Sequence, residues 1–251
     1  MTRIITIHNQ AGGVMKSTLT MNLGYHLGQR GHSVLLIDMD PQASLTIFMG
    51  LEPGDLEQTI CDAILDEGLL PIHKDIHHVD LIPSNIDLSA AEMQLVSTIM
   101  RELRLKTVLE SELEHYDFIL IDAPPSLGIL SVLSLVASTH VLIPIHTQHK
   151  SFKGTELLLN SVAAVRKNAN RDLKLAGVIP TIYASRNVQD ESTLDAIKEQ
   201  LSAITTVYPP IPRSTAFPDA TQKCLPLSLH DPKHPALRVL EDIANGMEKL
   251  S

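Results

Sequence analysis

Residues 4–18 read Ile-Ile-Thr-Ile-His-Asn-Gln-Ala-Gly-Gly-Val-Met-Lys-Ser-Thr. A β-branched run leads into paired glycines, and Lys-Ser-Thr then opens an apolar helical pattern, an order that predicts a strand, a phosphate-binding loop and a helix. The backbone N–H groups of such a loop and the start of the helix bind anions. Lys16 is placed to reach the β- and γ-phosphates, and the Ser17 hydroxyl to bind Mg²⁺. The stretch therefore predicts a nucleoside triphosphate site.

The loop does not follow the strict pattern G-x-x-x-x-G-K-[ST], because Gln10 and Met15 occupy its two glycine positions. Taken alone, it is equally compatible with an ordinary glycine turn followed by a solvated Lys16. Motifs further along the chain decide between these interpretations.

Length and composition limit the classes of protein to consider. A chain of 251 residues with 44% hydrophobic content can form one α/β domain over residues 1–251. Cys61 and Cys224 belong to no C-x-x-C pair, which argues against a disulfide framework, a zinc site or an iron–sulfur cluster. We expect a cytoplasmic protein without a signal peptide or membrane span. The net charge of −9 requires a local or dimer-generated basic patch for any nucleic-acid contact.

Two further apolar runs end in carboxylates. Residues 33–37 precede Asp38 and Asp40 in the sequence D-M-D-P-Q, and residues 118–121 precede Asp122 in the sequence D-A-P-P. The carboxyl ends of parallel strands meet at one edge of a sheet, so we expect these side chains beside the phosphate loop. Asp122 follows the Walker B pattern, in which a carboxylate holds Mg²⁺ through water. Capping of a turn is the alternative for Asp38 and Asp40.

These motifs together resemble the ParA/MinD superfamily of positioning ATPases. Residues 11–17 are similar to its deviant Walker A motif K-G-G-x-G-K-[ST], residues 38–42 to its D-x-D-P-Q sequence, and residues 116–125 to its Y-D-x-I-x-I-D-x-P-P signature. The resemblance covers most of the chain and implies a P-loop NTPase that uses ATP and Mg²⁺. Buried strands alternate with helical patterns, which predicts a doubly wound, mostly parallel sheet with helices on both faces.

The resemblance also implies roles for individual residues. Lys16 contacts the phosphates, Asp40 positions the attacking water, and Ser17, Asp38 and Asp122 serve the Mg²⁺ site. The expected nucleotide contacts are Gly12, Gly13, Val14, Met15, Lys16, Ser17 and Thr18 on the phosphate side and Thr181, Pro212 and Arg213 on the adenine side.

Two loop positions depart from the family. Ala11 replaces a lysine that reaches across a nucleotide-sandwiched dimer, and Met15 replaces a glycine whose usual conformation is costly for a residue with a Cβ. Lys150 and Lys153 follow the strand predicted over residues 139–145, at the ligand-bearing end of the sheet. We expect Lys150 to supply the missing cation as a catalytic residue. An exposed lysine at a helix start is the alternative for both positions.

The remaining chain alternates helices with strands. Helices are predicted over 17–29, 89–106, 154–168, 190–202 and 235–249, and residues 51–75 form an acidic, loop-rich excursion. In helix 89–106, Ser89 and Glu92 suggest a capping box, and an apolar stripe is expected in the core at Met93, Val96, Met100 and Leu103.

Residues 166–174 contain the densest group of basic side chains. A solvated helix end explains them adequately, because cations favour that terminus. Non-specific DNA binding is the functional interpretation, with Arg186, Lys198 or Arg238 as additions if the fold gathers them.

By resemblance, we expect an ATP-dependent homodimer that binds non-specific double-stranded DNA of the nucleoid and releases it when an adaptor stimulates hydrolysis. The missing first lysine and a lysine further along the chain resemble the McdA branch, which distributes carboxysomes with the adaptor McdB. Plasmid or chromosome partition with a ParB-like activator is the close alternative.

Three other classes of protein would need features that differ from those of this sequence. A MinD-like membrane ATPase would end in a basic amphipathic helix, whereas residues 241–251 carry three acidic residues and one lysine. A P-loop ligase that activates a carboxylate would need a dedicated substrate pocket. An iron-protein-like reductase would need cysteine ligands in motifs that this chain lacks.

Overall fold

A computed structural model describes residues 1–66, 68–147 and 149–251, with the backbone alone for residues 149–157. The strands are β1 Arg3–Ile7, β2 Val34–Asp38, β3 His73–Ile76, β4 Val79–Ile82, β5 Phe118–Asp122, β6 His140–His146 and β7 Lys174–Thr181. The helices are α1 Lys16–Gln29, α2 Ser44–Phe48, α3 Ile60–Asp66, α4 Asp87–Leu95, α5 Arg104–Leu109, α6 Ile129–Ala137, α7 His149–Asn168, α8 Val188–Leu201, α9 Ala216–Gln222, α10 Leu227–His230 and α11 Ala236–Glu248.

The seven strands form one sheet in the order β3-β4-β2-β5-β1-β6-β7. All neighbouring strands are parallel except the β3–β4 hairpin at one edge. β2 and β5 are buried along their whole length, as expected for central strands covered on both sides. The predicted doubly wound, mostly parallel sheet is confirmed.

Helices cover both faces of this sheet. α1, α2 and α9–α11 pack on one face, around a cluster that includes Leu23, Leu36 and Ile243. α3–α6 pack on the other face against β2, β4 and β5, and α6–α8 continue that layer over β6 and β7. The carboxyl ends of β1, β2, β5, β6 and β7 therefore meet along one edge, which carries the candidate site.

The prediction of one helix over residues 89–106 is wrong. α4 ends at Leu95, Met100 has a left-handed backbone with φ 52°, and α5 begins at Arg104. Ser, Thr and Ile at 97–99 are weak helix formers, and the hydroxyls of Ser97 and Thr98 donate to the Gln94 carbonyl. These local bonds compete with continuation of the helix.

The predicted apolar stripe is wrong for the same reason. Met93, Val96 and Met100 are 74%, 67% and 61% exposed, and only Leu103 packs partly against a core cluster. Ser89 lies inside α4, because the helix begins at Asp87, so it is not a cap. The excursion at 51–75 is also more ordered than predicted, since it contains α3 and β3.

Candidate nucleotide-binding site

The loop between β1 and α1 has the backbone shape expected of a phosphate loop. Gly13 has φ +70°, and Met15 at the start of α1 has φ 72° and ψ 23°, so both are left-handed. That region costs a residue with a Cβ about 1–2 kcal/mol. The loop is braced from two sides: the Asn9 amide donates to the Pro144 carbonyl at 2.7 Å, and the Thr181 hydroxyl donates to the Val14 carbonyl at 3.3 Å.

Lys16 is buried at the base of the loop, with 7% of its surface exposed. Burial lowers the pKa of its ammonium, and the Asp122 and Asp40 carboxylates act in the opposite direction. The predicted phosphate-contacting lysine therefore lies near Asp122, predicted for the Mg²⁺ site, and Asp40, predicted to position the attacking water. These residues come from α1, β5 and the end of β2 and meet at one edge of the sheet.

Asp122 is a fully buried carboxylate, and neither oxygen accepts a hydrogen bond of standard geometry from a described residue, although the Ser17 hydroxyl lies close enough to act on it. It ends β5 opposite Asp38 of β2. Burial and the Asp38 charge raise the pKa of Asp122 well above its usual value, while nearby Ser17 and Lys16 act in the opposite direction. An unpaired buried carboxylate is costly unless a cation or a donor compensates it.

Asp38 is also fully buried, but its oxygens are occupied. One accepts the Thr46 N–H and the Thr46 hydroxyl, both at 2.8 Å, and the other accepts the Asp40 N–H at 3.1 Å. Burial raises the pKa of Asp38 to about 6, and these hydrogen bonds oppose the rise. The side chain thus ties the 40–43 turn to α2, a geometry that favours positioning over direct contact with a metal.

Asp40 is 8% exposed and lies on the turn that Asp38 holds. One of its carboxylate oxygens accepts the Gln42 N–H at 2.9 Å. Its carbonyl accepts the Ala43 N–H and the Ser84 hydroxyl, each at 2.9 Å. Two of the bonds that fix the backbone of the turn, from Ala43 and Ser84, therefore do not involve the Asp40 side chain.

This donor set is suited to Mg²⁺. The cation prefers oxygen ligands and is commonly held by one or two protein groups together with phosphate oxygens and water. The unpaired oxygens of Asp122 and the hydroxyl of Ser17 are such groups. Within the described parts of the chain, no cluster of three or more His, Cys, Asp or Glu side chains forms a metal cage by itself.

A cavity of about 260 Å³ opens beside the first turn of α1. Its walls include Met15, Thr18, Phe48, Pro212, Arg213 and Phe217. Pro212 and Arg213 were predicted at the adenine side and line this cavity, whereas Thr181 lies under the phosphate loop. The Tyr183–Pro212 bridge and the Arg213 N–H donating to the Tyr183 carbonyl at 2.8 Å hold the 210–213 segment in place.

Sequence reasoning missed several residues of the site. Phe48 and Phe217 come from α2 and α9, where no motif marks them. Thr46 follows Asp38 by eight residues and could have been suspected only as a polar residue in an apolar helix. The side chains of Lys150 and Lys153 lie outside the described residues, so the replacement of the missing loop lysine stays a prediction.

His8 follows β1 and is fully buried, and neither ring nitrogen makes a hydrogen bond of standard geometry with a described residue, although the Pro124 backbone acts to raise the pKa of the ring. Burial and the nearby Lys16 ammonium lower the pKa of His8 to about 4. Its folded-state pKa is therefore below the unfolded value near 6.5, so the neutral form stabilises the fold. This contribution is complete above pH 6.5 and is lost as the pH falls toward 4.

We expect His8→Gln to remove this pH dependence. Between pH 7.5 and pH 5.0 the wild-type protein should lose about 2 kcal/mol of unfolding free energy through His8. Urea unfolding at both pH values measures the loss in each protein. Asp38 and other titrating groups are common to both, so they cancel in the comparison. Equal losses in the two proteins would contradict this assignment.

Comparison with known proteins is consistent with this geometry. A family model described as an AAA domain matches residues 2–175. The sporulation initiation inhibitor protein Soj of Bacillus subtilis is 39% identical over 249 residues, which is 97% of each chain. The structure of a Cyanothece McdA variant in complex with ATP has a TM-score of 0.89 at 26% identity and covers 100% of this chain and 98% of its own.

A third relative carries a different activity in its name. The Mycobacterium smegmatis cobyrinic acid a,c-diamide synthase, solved with an ATP analogue and magnesium, has a TM-score of 0.81 at 32% identity and covers 89% of this chain and 92% of its own. The fold, the geometry of the loop between β1 and α1, and the near full-length similarity to Soj all indicate the same family. The chain belongs to the ParA/Soj family of AAA-domain ATPases.

Proposed function

We propose that the protein is a positioning ATPase that binds Mg²⁺ and ATP, forms an ATP-dependent homodimer, binds non-specific DNA in that state and releases it after hydrolysis. The observation that carries this proposal is the arrangement of Lys16 and the unpaired carboxylate of Asp122 under a braced phosphate loop. The ATP of the McdA structure and the ATP analogue and magnesium of the M. smegmatis structure support the choice of ligand.

Each residue of the site has its own role in the proposed hydrolysis of ATP. Lys16 and the N–H groups of residues 12–18 bind the phosphates, and Ser17 and Asp122 hold Mg²⁺, which neutralises charge on the transferred phosphoryl group. Asp40 orients the attacking water. Asp38 positions Asp40 and α2 through its three hydrogen bonds. Lys150 is the proposed substitute for the lysine missing at position 11, with Lys153 as the alternative.

The basic residues lie in three separate places in the fold. Arg166 and Lys167 end α7 and Lys198 lies in the last turn of α8, at the edge of the sheet opposite the phosphate loop. Arg186 follows β7 at the loop edge, and Arg238 lies on α11 across the sheet. We place the DNA contact at Arg166, Lys167 and Lys198, because α7 and α8 are neighbours. DNA binding then depends on ATP because the ATP-dependent dimer joins two such basic patches.

We expect DNA binding to require ATP and to weaken steeply with salt. Fluorescence anisotropy with two unrelated duplexes should give similar affinities, since the contacts are to phosphates. Arg166→Glu combined with Lys167→Glu should weaken binding and reduce the salt slope by about one per lost contact. Lys106→Glu, an exposed lysine on α5, is the matched control. Equal binding without nucleotide, or preference for one duplex, would contradict the proposal.

Two cargoes are compatible with this function. Carboxysome distribution with an McdB-like adaptor is supported by the McdA structure at 26% identity. Plasmid or chromosome partition with a ParB-like activator is supported by the chromosome-partitioning ATPase Soj of Treponema pallidum, which is 34% identical over 253 residues, and we favour partition on that ground. Stimulation of hydrolysis by one adaptor and not the other distinguishes the two processes. Nucleoid localisation of a fluorescent fusion tests the DNA binding that both processes require.

A carboxylate-activating ligase is the second candidate function, favoured by the name of the M. smegmatis relative. It predicts that phosphate release depends on an added carboxylate substrate. DNA-stimulated or partner-stimulated hydrolysis without such a substrate would exclude it.

Membrane attachment through the last helix is not proposed. The apolar side chains Leu240, Ile243 and Met247 of α11 are buried against the core. No helix in the described ranges has the length and apolar character needed to cross a bilayer.

A further inference from the structure

His8 lies where two loops of the candidate site begin. It follows β1, and its N–H donates to the Leu142 carbonyl at 3.1 Å, which continues the pairing of β1 with β6. On the other side of β1, the Ala123 N–H donates to the Ile7 carbonyl at 3.3 Å. The phosphate loop starts directly after His8, and residues 123–128 connect β5 to α6. The backbone therefore holds His8 at the root of both loops.

The His8 side chain is a polar group in a fully buried place. None of its surface is exposed, and neither ring nitrogen makes a hydrogen bond of standard geometry with a described residue. Burial of such a group without a partner is costly, and buried polar side chains are as a rule hydrogen-bonded. An apolar side chain would fill the space without this cost. The histidine therefore indicates a role beyond packing.

Two neighbours of the ring match the two sides of a neutral imidazole, which has one N–H donor and one accepting nitrogen. The Lys16 ammonium can only donate. Pro124 has no N–H, so its backbone offers a carbonyl, which can only accept. Both groups lie close enough to act on the pKa of His8, Lys16 to lower it and the Pro124 backbone to raise it. One imidazole can therefore bridge the phosphate-binding lysine and the loop after β5.

We propose that His8 is a positioning residue that couples the phosphate loop to the 123–128 loop, accepting from Lys16 and donating to the Pro124 carbonyl. The inference rests on the ATP hydrolysis proposed above. Hydrogen bonds in such sites are often poorly aligned until the substrate complex forms, and a small shift of either loop aligns these two. Contact of Lys16 with the phosphates then holds the 123–128 loop in one conformation. Because that loop follows Asp122, its order fixes the Mg²⁺ side of the site.

Turnover and amide hydrogen exchange test the coupling. His8→Leu and His8→Met remove both ring nitrogens and keep an apolar side chain of similar size. Each should lower kcat about tenfold, the size of one buried hydrogen bond, and weaken ATP binding by about threefold at most. Lys16 and the loop N–H groups still bind the phosphates in these variants. With Mg²⁺ and a non-hydrolysable ATP analogue, exchange in residues 123–131 should slow in the wild-type protein and not in either variant.

Two conservative variants identify the donated bond. The amide N–H of His8→Asn falls near the place of Nδ1, and that of His8→Gln falls near the place of Nε2, so one of the two should restore kcat and the slow exchange. His140→Leu is the matched control. His140 is a buried histidine at the start of β6, at the opposite edge of the sheet, where its Nδ1 lies 2.9 Å from the Thr139 hydroxyl. This variant should keep wild-type kcat and exchange.

Thermal melts show which variants fold. Wild-type kcat and exchange in a folded His8→Leu or His8→Met protein would overturn the coupling. Loss in both without recovery in His8→Asn or His8→Gln would also overturn it, because packing and not a donated bond would be responsible. If neither apolar variant folds, equal kcat in His8→Asn and His8→Gln overturns it, since their amides lie in different places. Failure of the wild-type protein to hydrolyse ATP would instead refute the proposed function.

Discussion

Lys16→Ala is expected to lower ATP affinity by at least about 100-fold. Lys16 is the buried cation at the base of the phosphate loop, and hydrogen bonds between charged partners contribute about 1.5–3 kcal/mol each. Lys16 also offsets the repulsion between the phosphates and the carboxylates of Asp122 and Asp40. Its removal leaves that repulsion uncompensated. Isothermal titration of Mg²⁺ and ATP measures the loss directly.

Two further variants separate binding from folding. Lys16→Met keeps most of the aliphatic volume and should bind ATP as poorly as Lys16→Ala. Lys198→Ala removes an exposed lysine of α8 and should bind ATP normally. Thermal melts of the nucleotide-free proteins show whether each variant folds. ATP affinity unchanged in a folded Lys16→Met protein would remove the phosphate loop from the proposed mechanism.

Asp40→Ala is expected to slow hydrolysis by about 100-fold or more while ATP affinity changes little. Positioning of the attacking water acts mainly in the transition state, so its loss affects turnover and not ground-state binding. The 40–43 turn should persist, because its backbone bonds to Ala43 and Ser84 do not use the Asp40 carboxylate. Light scattering with ATP should report a persistent dimer.

Asp38→Ala should behave differently. It leaves the Thr46 and Asp40 N–H groups buried without their acceptor, which costs about 2 kcal/mol or more of unfolding free energy. We therefore expect a lower melting temperature together with impaired turnover. If Asp38→Ala traps the dimer and Asp40→Ala does not, the two roles are reversed.

The parts of the fold that the sequence predicts are those controlled by local pattern. β2 and β5 are continuous apolar runs that must be covered on both sides, and their carboxyl ends carry Asp38 and Asp122. The parallel register then brings these residues together without further information. The phosphate loop and its carboxylates are predictable for this reason.

The remaining features depend on contacts between distant segments. Phe48 and Phe217 meet at the cavity only after α2 and α9 pack on the same face of the sheet. The occupied oxygens of Asp38 depend on the fold of the 40–46 segment. The predicted helix 89–106 does not form as one helix, because the side chains of residues 97 and 98 donate hydrogen bonds to the backbone and compete with the helical bonds. A periodic pattern of apolar residues does not reveal this competition.

The two phenylalanines that line the cavity beside α1 have a consequence for spectroscopy. The chain contains no tryptophan, and Phe48 lines the cavity while being only partly buried in the core. An indole introduced there by Phe48→Trp would be the sole tryptophan fluorophore of the protein. Its emission would report arrival and departure of an unlabelled nucleotide in real time, without a dye attached to either molecule.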